Sequence, residues 1–369
     1  MHATNALAEA DRLMTVCNSC RYCEGICAVF PAMEMRTAFS EGDLNYLANL
    51  CHSCGACYYD CQFSPPHEFN VNVPAVLAQV RGESYEQYAW PSFLSGTFQR
   101  NGLKISIVAA LSVAAFIIGF AAFRDSTVLF GAHSGPGSFY KFMPHNAMAA
   151  LFGAAFLYAI VAMSMGVRNF WRDIGEPAAT LTQPISIWQA MKDASTLRYL
   201  DGGGVGCMNE DEKPTDNRRL YHHFTFYGFM LCFASTLSAT GYHYLLGMEA
   251  PYPWYDLPVV LGTIGGIGLI VGPVGLLREK FRRDPALMDD KKYGMDVAFL
   301  AMLFMTSLTG LLLLVLRATP AMGLMLALHI GIVFALFITM PYGKFVHGFY
   351  RFVALVRYAK ERRELAGHH

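Results

Sequence analysis

The sequence contains little charge for its length. Of its 369 residues, 15% are charged and 54% are hydrophobic, whereas an average soluble domain has about 25% charged residues. This composition predicts a membrane-embedded protein. The formal net charge is zero, and no stripe of basic residues alternates with aromatic ones, so nucleic-acid binding is set aside as a function class.

Two signals of other protein classes are also missing. Nothing resembles a cleaved secretory signal, so the first 100 residues are expected in a reducing cytoplasm. The glycine-rich segment 202–206 lacks both the GxGxxG spacing and a preceding strand. A nucleotide site is therefore not predicted, and the chain shows no flavin or nicotinamide fold.

Cysteine is concentrated near the start of the chain. Eight of the ten cysteines form two runs with the same C-x2-C-x2-C-x3-C spacing. In two-cluster ferredoxins, three thiolates of one run and the fourth thiolate of the other hold each [4Fe-4S] cluster. The predicted ligand sets are Cys17, Cys20, Cys23 and Cys61 for one cluster, and Cys51, Cys54, Cys57 and Cys27 for the other.

Zinc and disulfide bonds are the alternative uses of these cysteines. Four-thiolate zinc sites usually take two ligands from each C-x2-C knuckle, not four. Cysteines so close together on a tight loop are poorly placed for a full set of disulfide bridges. The remaining two, Cys207 and Cys232, have no partner at metal-binding spacing.

The sequence predicts an all-α fold with three parts. Residues 1–100 are predicted to form a helical ferredoxin-like domain, 101–343 a transmembrane domain with a connecting loop at 168–219, and 344–369 a basic amphipathic tail. Six stretches lack charged residues over about the 20 residues that a bilayer crossing requires. They are 105–123, 142–167, 220–248, 257–277, 297–316 and 318–343.

The distribution of basic residues predicts the orientation of these spans. Lysines and arginines are concentrated in segments 168–219, 278–292 and 344–363, whereas the opposite side has only Arg124, Lys141 and Arg317. By the positive-inside rule, both termini and the cysteine-rich domain are expected in the cytoplasm. The predicted location is the bacterial cytoplasmic (inner) membrane.

Histidines in the predicted spans are candidate haem ligands, because ionisable groups in a membrane are costly and usually functional. If the last span is one straight helix, His329 and His347 share a face, and His222 and His243 are only about 60° out of line at about 100° per residue. Two bis-histidine haem b sites are therefore predicted. Their ligands would be His243 with His329 at the outer side and His222 with His347 at the inner side.

The number of haems and their ligands stay open at this point. His145 lies at the outer end of the second span and competes as a ligand. His223 is a further candidate, although it points away from His222 on a helix. Hydrogen bonding to a neighbouring helix is the alternative role for each of these histidines.

Four segments resemble the tricarballylate utilisation protein B, or CitB-type, family. Two contain the cysteine runs, CNSCRYCEGICAVFPA at 17–32 and CHSCGACYYDCQFSPPHEFNVNVP at 51–74. The others are DEKPTDNRRLYHHFTFYGF at 211–229 and YHYLLGMEAPYPWYDLPVVLGTIGG at 242–266. The resemblance covers nearly the whole chain.

This resemblance implies a membrane electron-transfer protein without its own substrate site. Such a protein carries two [4Fe-4S] clusters and haem b, and it reoxidises the reduced FAD of a partner, tricarballylate dehydrogenase in that family. The electrons then pass to membrane quinone. Two alternatives remain: an iron-sulfur subunit of a heterodisulfide-reductase-like enzyme, which would call for more cysteine motifs, and a membrane-bound redox sensor, which would not need the histidines.

Overall fold

The computed structural model describes residues 2–366, which are mainly helical, as the sequence predicts. Within that range the strands are one antiparallel pair, β1 (Cys207–Met208) and β2 (Pro214–Thr215). The α-helices are α1 (Asn5–Cys20), α2 (Val29–Glu34), α3 (Glu41–Leu50), α4 (Ala56–Tyr59), α5 (Val73–Gln87), α6 (Asn101–Phe123), α7 (Ser126–Leu129), α8 (His145–Asp173), α9 (Pro184–Ser195), α10 (Asn217–Leu246), α11 (Leu257–Phe281), α12 (Tyr293–Leu316), α13 (Met322–Thr339) and α14 (Val346–Ala366).

Helices α1 to α5 form the N-terminal domain, and local capping determines where they begin. Thr4 Oγ1 accepts a hydrogen bond from the Leu7 amide at 3.2 Å, and Ser40 and Asp43 form a reciprocal capping box at the start of α3. These side chains satisfy amides that a helix start leaves unpaired. The core contains the fully buried side chains of Leu13, Met14, Met33, Leu44, Leu47 and Leu77.

Five helices, α6, α8, α11, α12 and α13, are long and apolar enough to cross a membrane. They coincide with five of the six predicted spans. The remaining one, 220–248, falls within the 30-residue helix α10, whose three histidines and four tyrosines make it less apolar. A sixth span therefore stays a prediction. Helix ends near the N-terminal domain are called proximal below, and the opposite ends distal.

The last predicted span is not one straight helix. Helix α13 ends at Thr339, a short 3-10 turn covers Met340–Tyr342, and α14 begins at Val346. Pro341 lies in the turn, and a proline cannot donate the amide hydrogen bond that would continue the helix. The expectation that His329 and His347 share one helix face is therefore wrong, because they lie on different helices.

Helices α10 and α11 pack with their backbones in contact. A Cβ atom at Gly228 would lie 2.9 Å from the Gly265 carbonyl oxygen, and one at Gly272 would lie 2.6 Å from the Thr225 amide nitrogen. Only glycine permits this approach, which is the usual way in which membrane helices associate closely. Helix α10 is thereby held along its length by α11.

Helix α14 lies against α3, α8 and α9, and its stretch from Val353 to Ala359 is buried. The sequence predicts a basic amphipathic tail from residue 344. In the structure, protein surrounds the middle of that segment, and its basic groups are paired. Positions 367–369 of the predicted tail lie outside the described residues.

A cluster of charged side chains joins α14 to the N-terminal domain. Glu361 accepts a hydrogen bond from Arg36 at 2.5 Å and one from the Tyr46 hydroxyl at 2.8 Å. Arg357 lies 2.9 Å from Glu361 and 3.3 Å from Asp43. Because these groups are largely shielded from water, each depends on its partners. The cluster connects the end of the chain to its beginning.

Candidate functional site

The structure brings the first predicted set of cysteines around one cavity. Its four cysteines are Cys17, Cys20, Cys23 and Cys61. Cys17 and Cys20 come from the last turn of α1, and Arg21 then takes a left-handed conformation with φ 56°, so the chain turns and Cys23 follows in a loop. The apolar side chains of Phe30, Phe63 and Val71 complete the wall. Cys20 is exposed, so this cavity reaches the surface.

The second predicted set lines a separate and more deeply placed cavity. Its four cysteines are Cys27, Cys51, Cys54 and Cys57. Cys51 and Cys54 are buried. Gly55 follows Cys54, and its φ of 88° permits α4 to begin. The exchange of the fourth cysteine between the runs, predicted from spacing, is thus present in the geometry. Cluster ligation itself stays a prediction.

The donor sets fit iron-sulfur clusters chemically. Burial, together with Cys23, Cys61 and Cys20 nearby, raises the pKa of Cys17 to about 12. Burial and the neighbouring thiols likewise raise the pKa of Cys27 and of Cys57. Four thiolates this close repel one another unless cations lie between them, and iron supplies that charge. A site for a single metal ion is a different matter. Within residues 2–366, no group of three His, Cys, Asp or Glu side chains forms such a site.

Three arginines hold the loop from Cys51 to Ser53. Arg81 of α5 donates to the Cys51 carbonyl at 2.6 Å, and Arg351 of α14 donates to the same oxygen at 2.8 Å. Arg218 of α10 donates to the Ser53 carbonyl at 2.8 Å and to the His52 carbonyl at 3.0 Å. Hydrogen bonds from charged donors are stronger than neutral ones. The loop is therefore attached to both α10 and α14.

The two predicted inner histidines, His222 and His347, lie together at the proximal end. Their ring centroids are 6.2 Å apart and their planes are inclined by 76°. His347 Nδ1 donates to the Lys344 carbonyl at 2.5 Å, which leaves Nε2 free, as is usual for a metal-binding histidine. His222 Nδ1 is buried without a partner among the described residues. This pair fits two axial ligands of one haem.

The predicted outer pair is not brought together. The His243 ring stacks on the ring of His145, the competing candidate, with 3.5 Å between centroids. His329 instead lies against α12, where its Nδ1 is 3.1 Å from Thr309 Oγ1. The pairing was inferred from depth along the spans, which does not decide which helix faces His243; in the structure that helix is α8. Two rings in stacking contact leave no room for a metal between them.

His223 points away from the proximal pair, as predicted from helix geometry. Its ring stacks on Tyr227 with 5.7 Å between centroids. It lines an open cleft between the end of α9 and the start of α10. His223 is therefore separated from His347, although it follows His222 directly in the sequence.

The sequence did not reveal what surrounds the second cysteine cavity. Cys207, which has no metal-binding spacing, lies buried beside Cys54. The Met208 amide donates to the Cys54 carbonyl at 2.9 Å, and the glycine-rich segment packs here, with a Cβ at Gly202 meeting Cys54 Sγ at 4.0 Å. Four glycines of this segment have positive φ angles, which permit it to fold against the cavity. The glycine pattern in the sequence does not indicate what the segment packs against.

Comparison with known proteins shows which family the chain belongs to. A family model described as "Citrate utilization protein B" matches residues 96–368. The chain belongs to this family. A second model, "Citrate utilization protein B Fer4-like domain", matches residues 10–87, which contain both cysteine runs. The family resemblance inferred from the motifs is thus confirmed, and so is a Fer4-like N-terminal domain.

One relative of this family matches almost from end to end. The chain is 49% identical over 362 residues to the protein named citrate utilization protein B from Escherichia coli, and the match covers 98% of this chain and 94% of that protein. No solved structure matches the chain. The family, the Fer4-like domain and the apolar helices together describe an iron-sulfur protein of a membrane.

Proposed function

We propose that this protein carries electrons from a reduced FAD-dependent dehydrogenase to the membrane quinone pool. Two [4Fe-4S] clusters in the N-terminal domain and haem b between the membrane helices would be its carriers. One observation supports this proposal above all. Two of the three arginines that bind the carbonyls of the Cys51–Ser53 loop, Arg218 and Arg351, lie one helical turn from the two proximal histidines.

The geometry of that connection is symmetrical. Arg218 precedes His222 by four residues on α10, and Arg351 follows His347 by four residues on α14. Residues four apart lie on the same face of a helix. Both helices therefore direct a histidine toward the other helix and an arginine toward the second cysteine cavity. The position of the cavity and that of the histidine pair are set together.

The exposure of the cysteines indicates the direction of transfer. Cys20 of the first set is exposed, and the neighbouring Tyr22 is 73% exposed, so a partner protein reaches this side. Cys51 and Cys54 of the second set are buried next to the proximal end of the bundle. The first set is thus suited to receive electrons and the second to pass them toward the membrane.

Iron-sulfur clusters and a bis-histidine haem exchange single electrons with little rearrangement, which couples a two-electron flavin to one-electron steps. The protein residues supply the surroundings for this. Four cysteines line each cavity, apolar side chains complete the walls, and His347 is oriented by the Lys344 carbonyl. Three arginines balance the negative charge of the second set.

The identity of the partner rests on similarity. The relative from Escherichia coli is named for citrate utilization, and the motifs of this chain resemble proteins that serve tricarballylate dehydrogenase. We propose a dehydrogenase of this class as electron donor. We also propose the bacterial inner membrane as location, α10 as the third of six spans, and the N-terminal domain on the cytoplasmic side.

A first experiment measures the cofactors. Iron, acid-labile sulfide and haem are quantified on one purified sample, and visible spectra are recorded before and after dithionite reduction. We expect about eight non-haem irons per chain, four for each cube, and sharp b-type bands on reduction. A sample with iron but no haem would contradict the role of the histidines and favour a sensor.

A second experiment tests the route. The partner dehydrogenase and its substrate reduce the purified protein, and haem reduction is followed by stopped-flow absorbance. We expect Cys20→Ser to slow this reduction, while direct reduction by dithionite still occurs. Cys232→Ser is the matched control, because Cys232 lies in α10 and lines neither cysteine cavity. Unchanged haem reduction in Cys20→Ser would overturn the route.

A further inference from the structure

One open cleft, lined in part by His223, is not used by the electron route described above. It lies between the end of α9 and the first turns of α10, and it is called the α9–α10 cleft here. The side chains that line it are Ser195, Thr196, Arg198, Asp201, Asp216, Asn217, Arg219, Leu220, His223 and Tyr227. It thus combines basic, acidic and aromatic groups in one open space.

The exposed face of α9 places this cleft at the membrane boundary. Ile185 and Trp188 are 66% and 68% exposed, and Met191 follows on the same side. The opposite face, with Ser186 and Ala190, is buried. An apolar stripe that includes tryptophan is typical of a helix lying in the membrane interface. The cleft at its end is therefore open to the lipid phase.

A hydrogen bond ties the cleft to α10. The Tyr227 hydroxyl donates to the Ser195 carbonyl at 2.9 Å, which joins the end of α9 to the third turn of α10. On both sides of Tyr227 along α10, the apolar side chains of Leu220, Phe224 and Met230 are exposed. A lipid-soluble molecule would meet an apolar surface that leads directly to the polar end of the cleft.

The polar groups of the cleft are suited to a small molecule with carbonyl oxygens. Arg219 lies 2.8 Å from Asp216 and 3.8 Å from Asp201, so it is held in place with donors to spare. His223 Nδ1 is buried and has no hydrogen-bond partner among the described residues. A buried, unpaired ring nitrogen is costly unless a ligand uses it.

We propose that the α9–α10 cleft binds the headgroup of a membrane quinone and is the place of its reduction. Two electrons and two protons convert the quinone to a quinol, each carbonyl becoming a hydroxyl. The electrons come from the reduced dehydrogenase by the proposed route. The carboxylates Asp201 and Asp216, open to water on one side, pass the protons, and His223 Nδ1 donates a hydrogen bond to one carbonyl of the headgroup. This inference rests on the proposed function.

The sequence neighbours of His223 explain why this position is favourable. His222, the preceding residue, faces His347 on the other side of α10. The helix therefore presents one histidine to the predicted electron carrier and the next one to the cleft. Reduction here needs no movement of electrons to the distal end, so no work against the membrane potential is required.

The test uses the complete protein in membranes, reduced beforehand and mixed with a short-chain quinone such as decylubiquinone. Reoxidation of the b-type band is followed by stopped flow. We expect His223→Gln to slow reoxidation about tenfold, since it removes the ring nitrogen that would bind the headgroup. His133→Gln is the control, because His133 is bound to the distal Val128 carbonyl. Unaltered cofactor content in both variants shows that they fold.

A binding measurement gives a second readout. A photoreactive azidoquinone is cross-linked to the protein, with unlabelled quinone as competitor, and the labelled peptides are mapped. Label in residues 195–227 that competitor removes supports the proposal. Label near His145 and His243, with His223→Gln at the wild-type rate, would overturn it while leaving quinone as acceptor. If quinone neither binds to nor oxidises the wild-type protein, the proposed function fails as well.

Discussion

The proximal and distal ends of α10 each place a histidine beside one from another helix, but the two arrangements differ. At the proximal end, the ring centroids of His222 and His347 are 6.2 Å apart and nearly perpendicular. At the distal end, those of His243 and His145 are 3.5 Å apart and nearly parallel. The proximal pair leaves space for a metal, whereas the distal pair fills that space with its own contact.

The surroundings of the two pairs differ as well. Arginines one turn away connect the proximal pair to the second cysteine cavity. Around the distal pair the structure places Tyr140 and Tyr244, with ring centroids 5.1 and 5.4 Å from His145. The comparison teaches that one helix can supply equivalent histidines, while the partner element decides their use. That element is α14 at the proximal end and α8 at the distal end.

The largest expected effect separates the two pairs directly. Removing an axial ligand should lower haem binding at least as much as loss of a supporting residue, which costs about 10–100-fold in metal affinity. We therefore expect His347→Ala to lose most of the dithionite-reduced b-type absorbance, measured per protein in the purified sample. His243→Ala, the matched distal variant, should retain it. Equal losses in both variants would show that the distal pair also binds haem.

The next substitution affects both histidine pairs, because it disturbs the packing of α10, which contributes to both. Gly272→Val would insert side-chain atoms where the Thr225 amide lies 2.6 Å from a Cβ, forcing α10 and α11 apart. We expect a loss of about 1–3 kcal/mol in the free energy of unfolding in detergent, as is typical of overpacking. Gly119→Val is the control, since a Cβ there has nothing within 4 Å. If both substitutions have equal effects, close packing does not hold α10.

An effect of similar size is expected at the proximal end alone. Glu361→Gln removes the charge that Arg36 and Arg357 share, and we expect about 1–3 kcal/mol of destabilisation from weakened charged hydrogen bonds. Hydrogen exchange should increase in α14 and not around His145. Glu364→Gln is the control, because the Glu364 side chain is 55% exposed and 3.9 Å from Lys360. Faster exchange at the distal end would contradict a local role.

The smallest effect concerns His329. Thr309→Val removes the hydroxyl that lies 3.1 Å from His329 Nδ1, and we expect a loss of about 0.5–1.5 kcal/mol in unfolding free energy for one hydrogen bond. Thr306→Val is the control, because its hydroxyl bonds only within α12, to the Met302 carbonyl. The reduced haem spectrum should not change. A shifted spectrum in Thr309→Val would return His329 to the haem ligands.

The cysteine sets show what the spacing of residues along the chain can predict. Cys17, Cys20 and Cys23 are close in sequence, so a compact segment brings them together, and the exchanged fourth ligand is typical of two-cluster ferredoxins. The structure groups the same cysteines around the two cavities. The apolar helices could be predicted equally well, because a stretch of about 20 residues without charge in a membrane protein usually forms a spanning helix.

The histidines show where such inference ends. His222 and His347 could be paired from depth alone, and the structure places them together. The partner of His243 could not, because depth does not show that the packing of α8 brings His145 to it. The α9–α10 cleft could not be predicted either. The residues that line it come from two segments, which the hydrogen bond from Tyr227 to the Ser195 carbonyl holds together.

The all-α fold, the family, the two cysteine sets and the apolar spans could be predicted from short sequence patterns. The tertiary structure shows which histidines meet, that α14 is packed inside the protein, and that Arg218 and Arg351 join the second cysteine cavity to the bundle. These features depend on the rotation and depth of helices relative to one another. Backbone contacts such as Gly228 with Gly265 set those quantities, and no local spacing encodes them.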